Sequence, residues 1–294
     1  MESKRILILG GDGMLGHQLF AVLSKNNQNI KATLRGNFST YSHLPFYSSE
    51  NTYFNTEIPD YKRLYEIFYL FKPDVILNAI GIVKQRKSSK DSIPSLEINS
   101  LFPHKLAEMA KSIGARVIHM STDCIFDGNK GTSYTEEDKC SATDLYGMSK
   151  YLGELQDAHC LTLRTSIIGL EISRKSSLVE WFLAQSGTIK GFEKAIFSGF
   201  TTKELARVIE MMITQYPDAH GVYHVSMDPI DKFDLLSRYR DKLAKDITIT
   251  KDADFICHRG LNSDRFRKEF DYTPPTWEET LKELAHDTIE KYGA

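Results

Sequence analysis

Four cysteines in 294 residues, Cys124, Cys140, Cys160 and Cys257, lie far apart, and none stands at paired metal-ligand spacing. They read as reduced thiols of a cytoplasmic protein, and no metal site is expected. Charge of one sign is also missing. The 37 Lys and Arg residues against 39 Asp and Glu leave a net charge of -2, without the clustered basic surface needed to displace counterions from a phosphate backbone. No nucleic-acid partner is expected. No apolar run reaches membrane-spanning length, so no membrane partner is expected either. The opening Met-Glu-Ser-Lys-Arg passes directly into Ile6-Leu7-Ile8-Leu9, which is too short for a signal-peptide core and reads as a first buried strand. Neither Asn37 to Asn51 nor Lys84 to Asp91 shows a repeat or low complexity.

What is present is a globular composition, 41% hydrophobic and 26% charged, with apolar material for one large core or two smaller ones. The first half alternates short apolar runs with helical patterns, the signature of βαβ units and a parallel sheet buried on both faces. Expected strands are Arg5 to Leu9, Ile30 to Leu34, Val75 to Ala79, Val117 to Met120 and Leu161 to Leu163. Met14 to Ser24, Asp60 to Leu70 and Pro103 to Ser112 have helical spacing. After Arg164 the rhythm changes to helices over Leu178 to Gln185, Thr202 to Thr214, Lys232 to Lys242 and Trp277 to Lys291, with only scattered strands such as Val222 to Val225. The polar stretch Asn37 to Asn51 reads as a loop. The fold class is therefore α/β, a doubly wound parallel sheet of Rossmann type with a smaller, mainly C-terminal lobe.

Gly10, Asp12, Gly13, Met14, Leu15 and Gly16 belong to a Gly-Gly-Asp-Gly-Met-Leu-Gly segment that follows the first strand and opens the first helix. Glycines there permit a tight turn, close approach of backbone to a pyrophosphate, and tight helix-on-strand packing, with phosphates at the positive helix end. At the end of the second strand, where an acidic residue would bind an adenosine 2′-hydroxyl, the sequence has Leu34-Arg35-Gly36. A cation at Arg35 suits a 2′-phosphate, so NADPH is the expected cofactor and NADH the alternative; the other reading of Arg35 is a solvated loop residue. Asn78, Ala79 and Gly81 end the strand at Val75 to Ala79, on the carboxyl edge where open α/β sheets bind ligands. Small residues there would let a cofactor ribose lie against backbone.

The chemistry concentrates in Ser121-Thr122-Asp123-Cys124 and the downstream Tyr146-Gly147-Met148-Ser149-Lys150. Four residues apart on a helix, Tyr146 and Lys150 share one face. A neighbouring ammonium stabilises a phenolate and brings proton transfer closer to neutral pH, and Thr122 could hydrogen-bond the same carbonyl oxygen. His119, within an apolar strand, reads as a packed core histidine. Trp181 and Phe182 lie on an amphipathic helix and read as core or as contacts of a homodimer.

These motifs resemble the extended short-chain dehydrogenase/reductase family and, within it, the dTDP-4-dehydrorhamnose reductase branch. The resemblance runs through Arg164-Thr165-Ser166, Thr201-Thr202-Lys203-Glu204-Leu205-Ala206, Gly221-Val222-Tyr223-His224-Val225-Ser226 and Leu261-Asn262-Ser263-Asp264-Arg265-Phe266. It implies that Thr122, Tyr146 and Lys150 are the catalytic set, with hydride delivered from the nicotinamide to C4 of a nucleotide-linked 4-keto-6-deoxysugar for cell-surface polysaccharide precursors. Tyr146 would protonate the alkoxide and Lys150 would also hold the nicotinamide ribose. Asn99 falls where the superfamily often keeps an asparagine supporting a proton-relay water; the alternative is a satisfied helix-interior asparagine. Thr122, Asp123, Cys124 and Ser166 would meet the sugar, and Lys84, in the basic Lys84-Gln85-Arg86-Lys87 segment, would meet the diphosphate or simply belong to a solvated loop.

The implied organisation is a dinucleotide-binding domain over 1–164, with 202–226 returning to it, and a substrate-binding lobe over 165–201 and 227–294. Three departures stand out: Cys124 and Ile125 replace the branch's common Tyr and Val, Ile167-Ile168-Gly169 replaces aromatic residues after Arg-Thr-Ser, and the loop at Lys84 is basic where the branch is more acidic. Dehydratases of the superfamily place an acid/base carboxylate pair after the catalytic threonine, whereas this chain has Asp123 and then Cys124. The remaining alternatives are a nucleotide-sugar epimerase of the same fold and a non-catalytic NADP-binding regulatory subunit, as known for a relative attached to methionine adenosyltransferase.

Overall fold

Ile6-Leu7-Ile8-Leu9 forms a strand with all four residues buried, because a central parallel strand is covered on both faces and admits no polar alternation. The computed structural model describes residues 4–83 and 90–293. Ile6–Leu9 pairs in parallel with Ile30–Thr33 on one side and Val75–Asn78 on the other. The seven-stranded sheet runs Gly221–His224, Cys160–Thr165, Arg116–Thr122, Val75–Asn78, Ile6–Leu9, Ile30–Thr33, Thr52–Tyr53. This is a doubly wound, Rossmann-type order. The direction of strand addition reverses beside Ile6–Leu9, which opens a crevice at the carboxyl ends of that strand and Val75–Asn78.

Two compact units divide the chain: 1–121, 144–163 and 205–222 form the first, and 122–143, 164–204 and 223–294 the second. The segment 122–143 thus interrupts the span 1–164 and lies in the second unit. Its apolar residues explain why. Ile125, Phe126 and Tyr134 form a buried cluster with Leu261, and the Phe126 and Tyr134 rings stack at 4.1 Å.

In the first unit, the helices Met14–Leu23, Tyr61–Phe71 and Phe102–Ser112 bury apolar faces. A π turn at Glu97–Leu101 joins Ser92–Leu96 to Phe102–Ser112. The expected loop at 37–51 contains a short helix, Phe38–Tyr41, because the Asn37 side chain accepts from the Thr40 N–H as an N-cap.

The second unit corrects the expectation of scattered strands after Arg164. Gly187–Phe197 and Ile247–His258 run in parallel, with Ile230–Asp231 antiparallel to the former. Both long strands bury only alternate or irregular positions and expose residues such as Lys190, Lys251 and Asp254. Half-exposed, charged strands lack the continuous apolar run that marked the first sheet. The C-terminal helix Trp277–Tyr292 opens on a capping box formed by Thr276 and Glu279.

Candidate active site

In the first unit, the turn after Ile6–Leu9 is shaped by what its residues lack. Gly10 adopts φ +83°, a left-handed conformation that a side chain would strain. A Cβ on Gly16 would stand 2.0 Å from the Gly10 carbonyl oxygen, so only glycine lets the helix start so close to the strand. Gly13 caps Met14–Leu23 without a side-chain hydrogen bond, leaving the helix N-terminus to backbone N–H groups. Met14 and Leu15 are its first residues. Such an end is a ready anion site.

Arg35 follows the second strand, and its Nε and Nη2 donate to Asp12 Oδ2 at 3.3 and 3.2 Å. Tyr41 donates to the same oxygen at 3.1 Å. On the other side of the turn, the Ile80 N–H donates to Asn78 Oδ1 at 3.2 Å, so the Asn78 amide nitrogen faces His119 Nδ1 at 3.0 Å. His119 must therefore carry its proton on Nε2, which is buried and has no hydrogen-bond partner among the described residues. Burial first, and then the Lys150 charge, push the imidazole well below its ordinary pKa. It is a neutral core histidine.

The helix Leu145–Leu152 carries Tyr146 and Lys150 and is capped by Asp144, whose carboxylate accepts from the Gly147 N–H at 2.8 Å. Tyr146 is half-buried and Lys150 is 5% exposed. Lys150 Nζ donates to the Met120 carbonyl at 2.6 Å. Burial lowers its pKa to about 8, with Glu154 acting in the opposite direction. Asn99 ties this helix to the strand-end loop: its Oδ1 accepts from the Ile82 N–H at 2.9 Å, and its Nδ2 donates to Ile82 O and Ser149 Oγ at 3.0 and 3.1 Å. Both amide hydrogens are engaged by these two acceptors. Gly81 lies in the same loop, where an added Cβ would stand 3.4 Å from Asn99 Oδ1, and Ala79 donates its N–H to Leu9 O.

In the second unit, a 3-10 turn at Asp123–Ile125 begins from Thr122. The Thr122 hydroxyl donates to Asp123 Oδ1 and accepts from the Cys124 N–H, both at 3.2 Å. Burial raises the Asp123 pKa, against Arg259 and hydrogen bonds from Cys124, Ser166 and Thr122. Burial, reinforced by Asp123, pushes the Cys124 thiol up to about 12. Cys124 is a neutral thiol. Thr122, Asp123, Cys124 and Ser166 are thus brought together in this unit.

Arg259 joins them, unanticipated by the sequence motifs. Its Nε donates to Phe126 O at 2.8 Å, and its Nη1 lies 3.7 Å from Cys124 Sγ. A basic residue just before the segment that begins at Leu261 was the available signal. Lys84 lies outside the described residues. Trp181 and Phe182 divide, the former exposed at 41% and the latter fully buried. Among the described residues, His286, Asp287 and Glu290 bring one possible ligand atom each within 4.8 Å of one another, His286 and Glu290 being exposed, far in sequence from these motifs.

The RmlD substrate binding domain model matches residues 4–289. The chain belongs to this family. It is 25% identical to dTDP-4-dehydrorhamnose reductase of Aggregatibacter actinomycetemcomitans over 95% of this chain and 98% of that protein. Among solved structures, dTDP-4-dehydrorhamnose reductase of Bacillus anthracis in complex with NADP superposes with TM-score 0.77 at 19% identity, covering 97% of this chain and 100% of that one. A dTDP-glucose 4,6-dehydratase of the same organism, in complex with NAD, reaches 0.78 at 18% identity, covering 99% and 98%. A reductase and a dehydratase fit the backbone equally well, so the fold alone does not select the chemistry.

Proposed function

We propose that this RmlD-family chain is an NADP(H)-dependent reductase of a dTDP-linked 4-keto-6-deoxysugar, making precursors of cell-surface polysaccharide. The observation that carries the reading is Lys150: a buried lysine one turn from Tyr146, on a capped helix of a Rossmann-type unit, in a chain that spans almost the full length of a named reductase. NADPH fits the first unit by the fit of its turn. Positive φ at Gly10, the absent Cβ at Gly16 and the uncapped end at Gly13 form a cradle for a diphosphate. Bound NADPH would supply a hydride.

The residues of the chain supply everything else. Tyr146 delivers a proton from its hydroxyl to the alkoxide formed at C4. Lys150, cationic below pH 8 and anchored on Met120 O, favours the phenolate left behind and holds the nicotinamide ribose. Asn99 fixes the catalytic helix against the strand-end loop, and Asn78, Ala79 and Gly81 border the cofactor. Thr122 orients the carbonyl, and Asp123, Cys124 and Ser166 border the sugar. Cys124 bears on the choice between reduction and dehydration: its neutral thiol stands where dehydration needs a second carboxylate, so elimination of water lacks its acid/base pair. The second unit is the substrate-binding lobe in this reading.

The reaction belongs in the cytoplasm, a setting consistent with four free thiols. Among the described residues, no helix is long and apolar enough to cross a membrane. The enzyme acts as a homodimer through the packed segments Ser92–Leu101 and Leu145–Leu152, which expose Ile93, Leu96, Leu101, Met148, Tyr151 and Leu152. Sedimentation of wild type and Leu152→Asp tests this; wild type sedimenting as a monomer at all concentrations refutes it.

The test of function is incubation of pure protein and NADPH with a panel of nucleotide 4-keto sugars, following loss of the nicotinamide absorbance and identifying the product. Reduction of dTDP-4-keto-6-deoxyhexose at C4 is expected. Release of water from an intact nucleotide hexose at a comparable rate would overturn the reductase reading. Cofactor binding without turnover of any sugar, together with a stoichiometric copurifying enzyme, would make the chain a regulatory subunit.

A further inference from the structure

The second strand ends without the acid that would receive a ribose 2′-hydroxyl, yet a carboxylate reaches the same place from the glycine turn. Asp12, between Gly11 and Gly13, directs Oδ2 at the Arg35 guanidinium, and Tyr41 supports that oxygen from the other side. The pair is asymmetric: the Asp12 side chain is 13% exposed and that of Arg35 48%. The carboxylate is the held partner, and the cation is the one open to a ligand.

A guanidinium offers five N–H donors in a planar fork. Asp12 engages Nε and Nη2 of a side chain that stays half exposed, while its charge offsets that of Arg35. A dianionic 2′-phosphate drawn to the exposed part of that cation would meet a charge already partly cancelled by Asp12. A 2′-hydroxyl, carrying no charge, gains little from the cation and loses little to that cancellation.

We infer that Asp12 is a specificity-determining residue of the cofactor site, limiting through Arg35 the preference for a 2′-phosphorylated dinucleotide over its unphosphorylated counterpart. The inference rests on the NADP(H) reading above. Asp12→Asn keeps the side-chain shape and an oxygen that accepts from Arg35 and Tyr41, while deleting the charge.

The experiment measures equilibrium Kd for NADPH and NADH, by titration calorimetry without sugar substrate, in wild type, Asp12→Asn, Arg35→Met and the double variant. Asp12→Asn is expected to raise the ratio Kd(NADH)/Kd(NADPH) by about tenfold, close to the size of one charge contact in a largely aqueous setting. In the Arg35→Met background the same substitution should change the ratio by less than about twofold, since additivity fails only for residues that act through one another. A ratio unchanged or lowered by Asp12→Asn, or an equal rise without Arg35, overturns the role of Asp12 while leaving the cofactor reading intact. Wild type binding neither dinucleotide overturns both.

Discussion

Two turns in this chain follow parallel strands and build their sites by opposite means. Gly10–Gly16 removes side chains so that backbone N–H groups and a helix end face outward. Thr122–Ile125 fills its turn with a hydroxyl, a carboxyl group and a thiol, all held by burial, with Arg259 acting on the last two. A site made of backbone needs residues close together in sequence, because consecutive peptides supply its donors. A site made of side chains draws on any residue that the fold delivers. Arg259 reaches the second turn from 135 residues further along the chain.

The largest effect expected concerns the helix Leu145–Leu152. Tyr146→Phe keeps the ring and removes the proton, so kcat should fall by roughly a hundred- to ten-thousandfold with little change in NADPH Kd. Steady-state kinetics and cofactor titration check this, and a variant keeping half its kcat would mean that another group delivers the proton. Lys150→Met should damage both quantities.

The backbone-made turn is tested by Gly16→Ala. The added methyl meets the Gly10 carbonyl at 2.0 Å, forcing the helix off the strand. A stability loss of about 1–3 kcal/mol is expected, as for overpacking elsewhere, with NADPH Kd raised about tenfold or more, by the affinity scale for losses of that size. Denaturant unfolding together with titration reads both. Full stability with unchanged Kd would show that the turn tolerates a side chain.

The side-chain-made turn is tested by Arg259→Met, which removes the cation that lowers the Asp123 pKa against burial. NADPH Kd should hold, whereas kcat/KM for the sugar should drop about tenfold, the range for loss of one charge-assisted hydrogen bond. The acidic limb of the pH–rate profile should move to higher pH, with Arg259→Lys restoring it. An unmoved acidic limb would detach Arg259 from Asp123.

The smallest effect separates function from stability at Lys150. Its folded pKa is about 8 against the ordinary 10.5. The rate should therefore halve near pH 8 and continue to fall as the ammonium is lost. Between the two values the unfolded chain binds more protons at this site, so the stability cost of burying Lys150 is full below pH 8 and relieved as pH rises toward 10.5. Unfolding of wild type and Lys150→Met across that window should show the variant gaining less stability with rising pH than wild type. Parallel curves would contradict the burial of a charged lysine.

How much of this was legible depends on the range of the interaction that made it. The sheet strands Ile6–Leu9, Ile30–Thr33, Val75–Asn78, Arg116–Thr122 and Cys160–Thr165 were visible because two-sided burial demands continuous apolar runs, whereas the two-residue edge strand Thr52–Tyr53 was not. Tyr146 with Lys150 was visible because helical spacing alone puts both on one face. The strands Gly187–Phe197 and Ile247–His258 were not, since their exposed faces carry charges that hide the period of two. Arg35 was visible as a cation at a strand end, but its ion pair with Asp12 was not, because the pairing needs the first and second strands side by side.

By itself, then, the order of residues determined the parallel sheet, the glycine turn and the Tyr146–Lys150 face, each a matter of local sterics, spacing or burial pattern. Tertiary structure alone decided that 122–143 leaves the first unit, that Arg259 opposes the desolvation of Asp123, and that Asp12 shares the charge of Arg35. Electrostatic energies depend on distance in space and on exclusion of water, and neither quantity exists until the chain has folded.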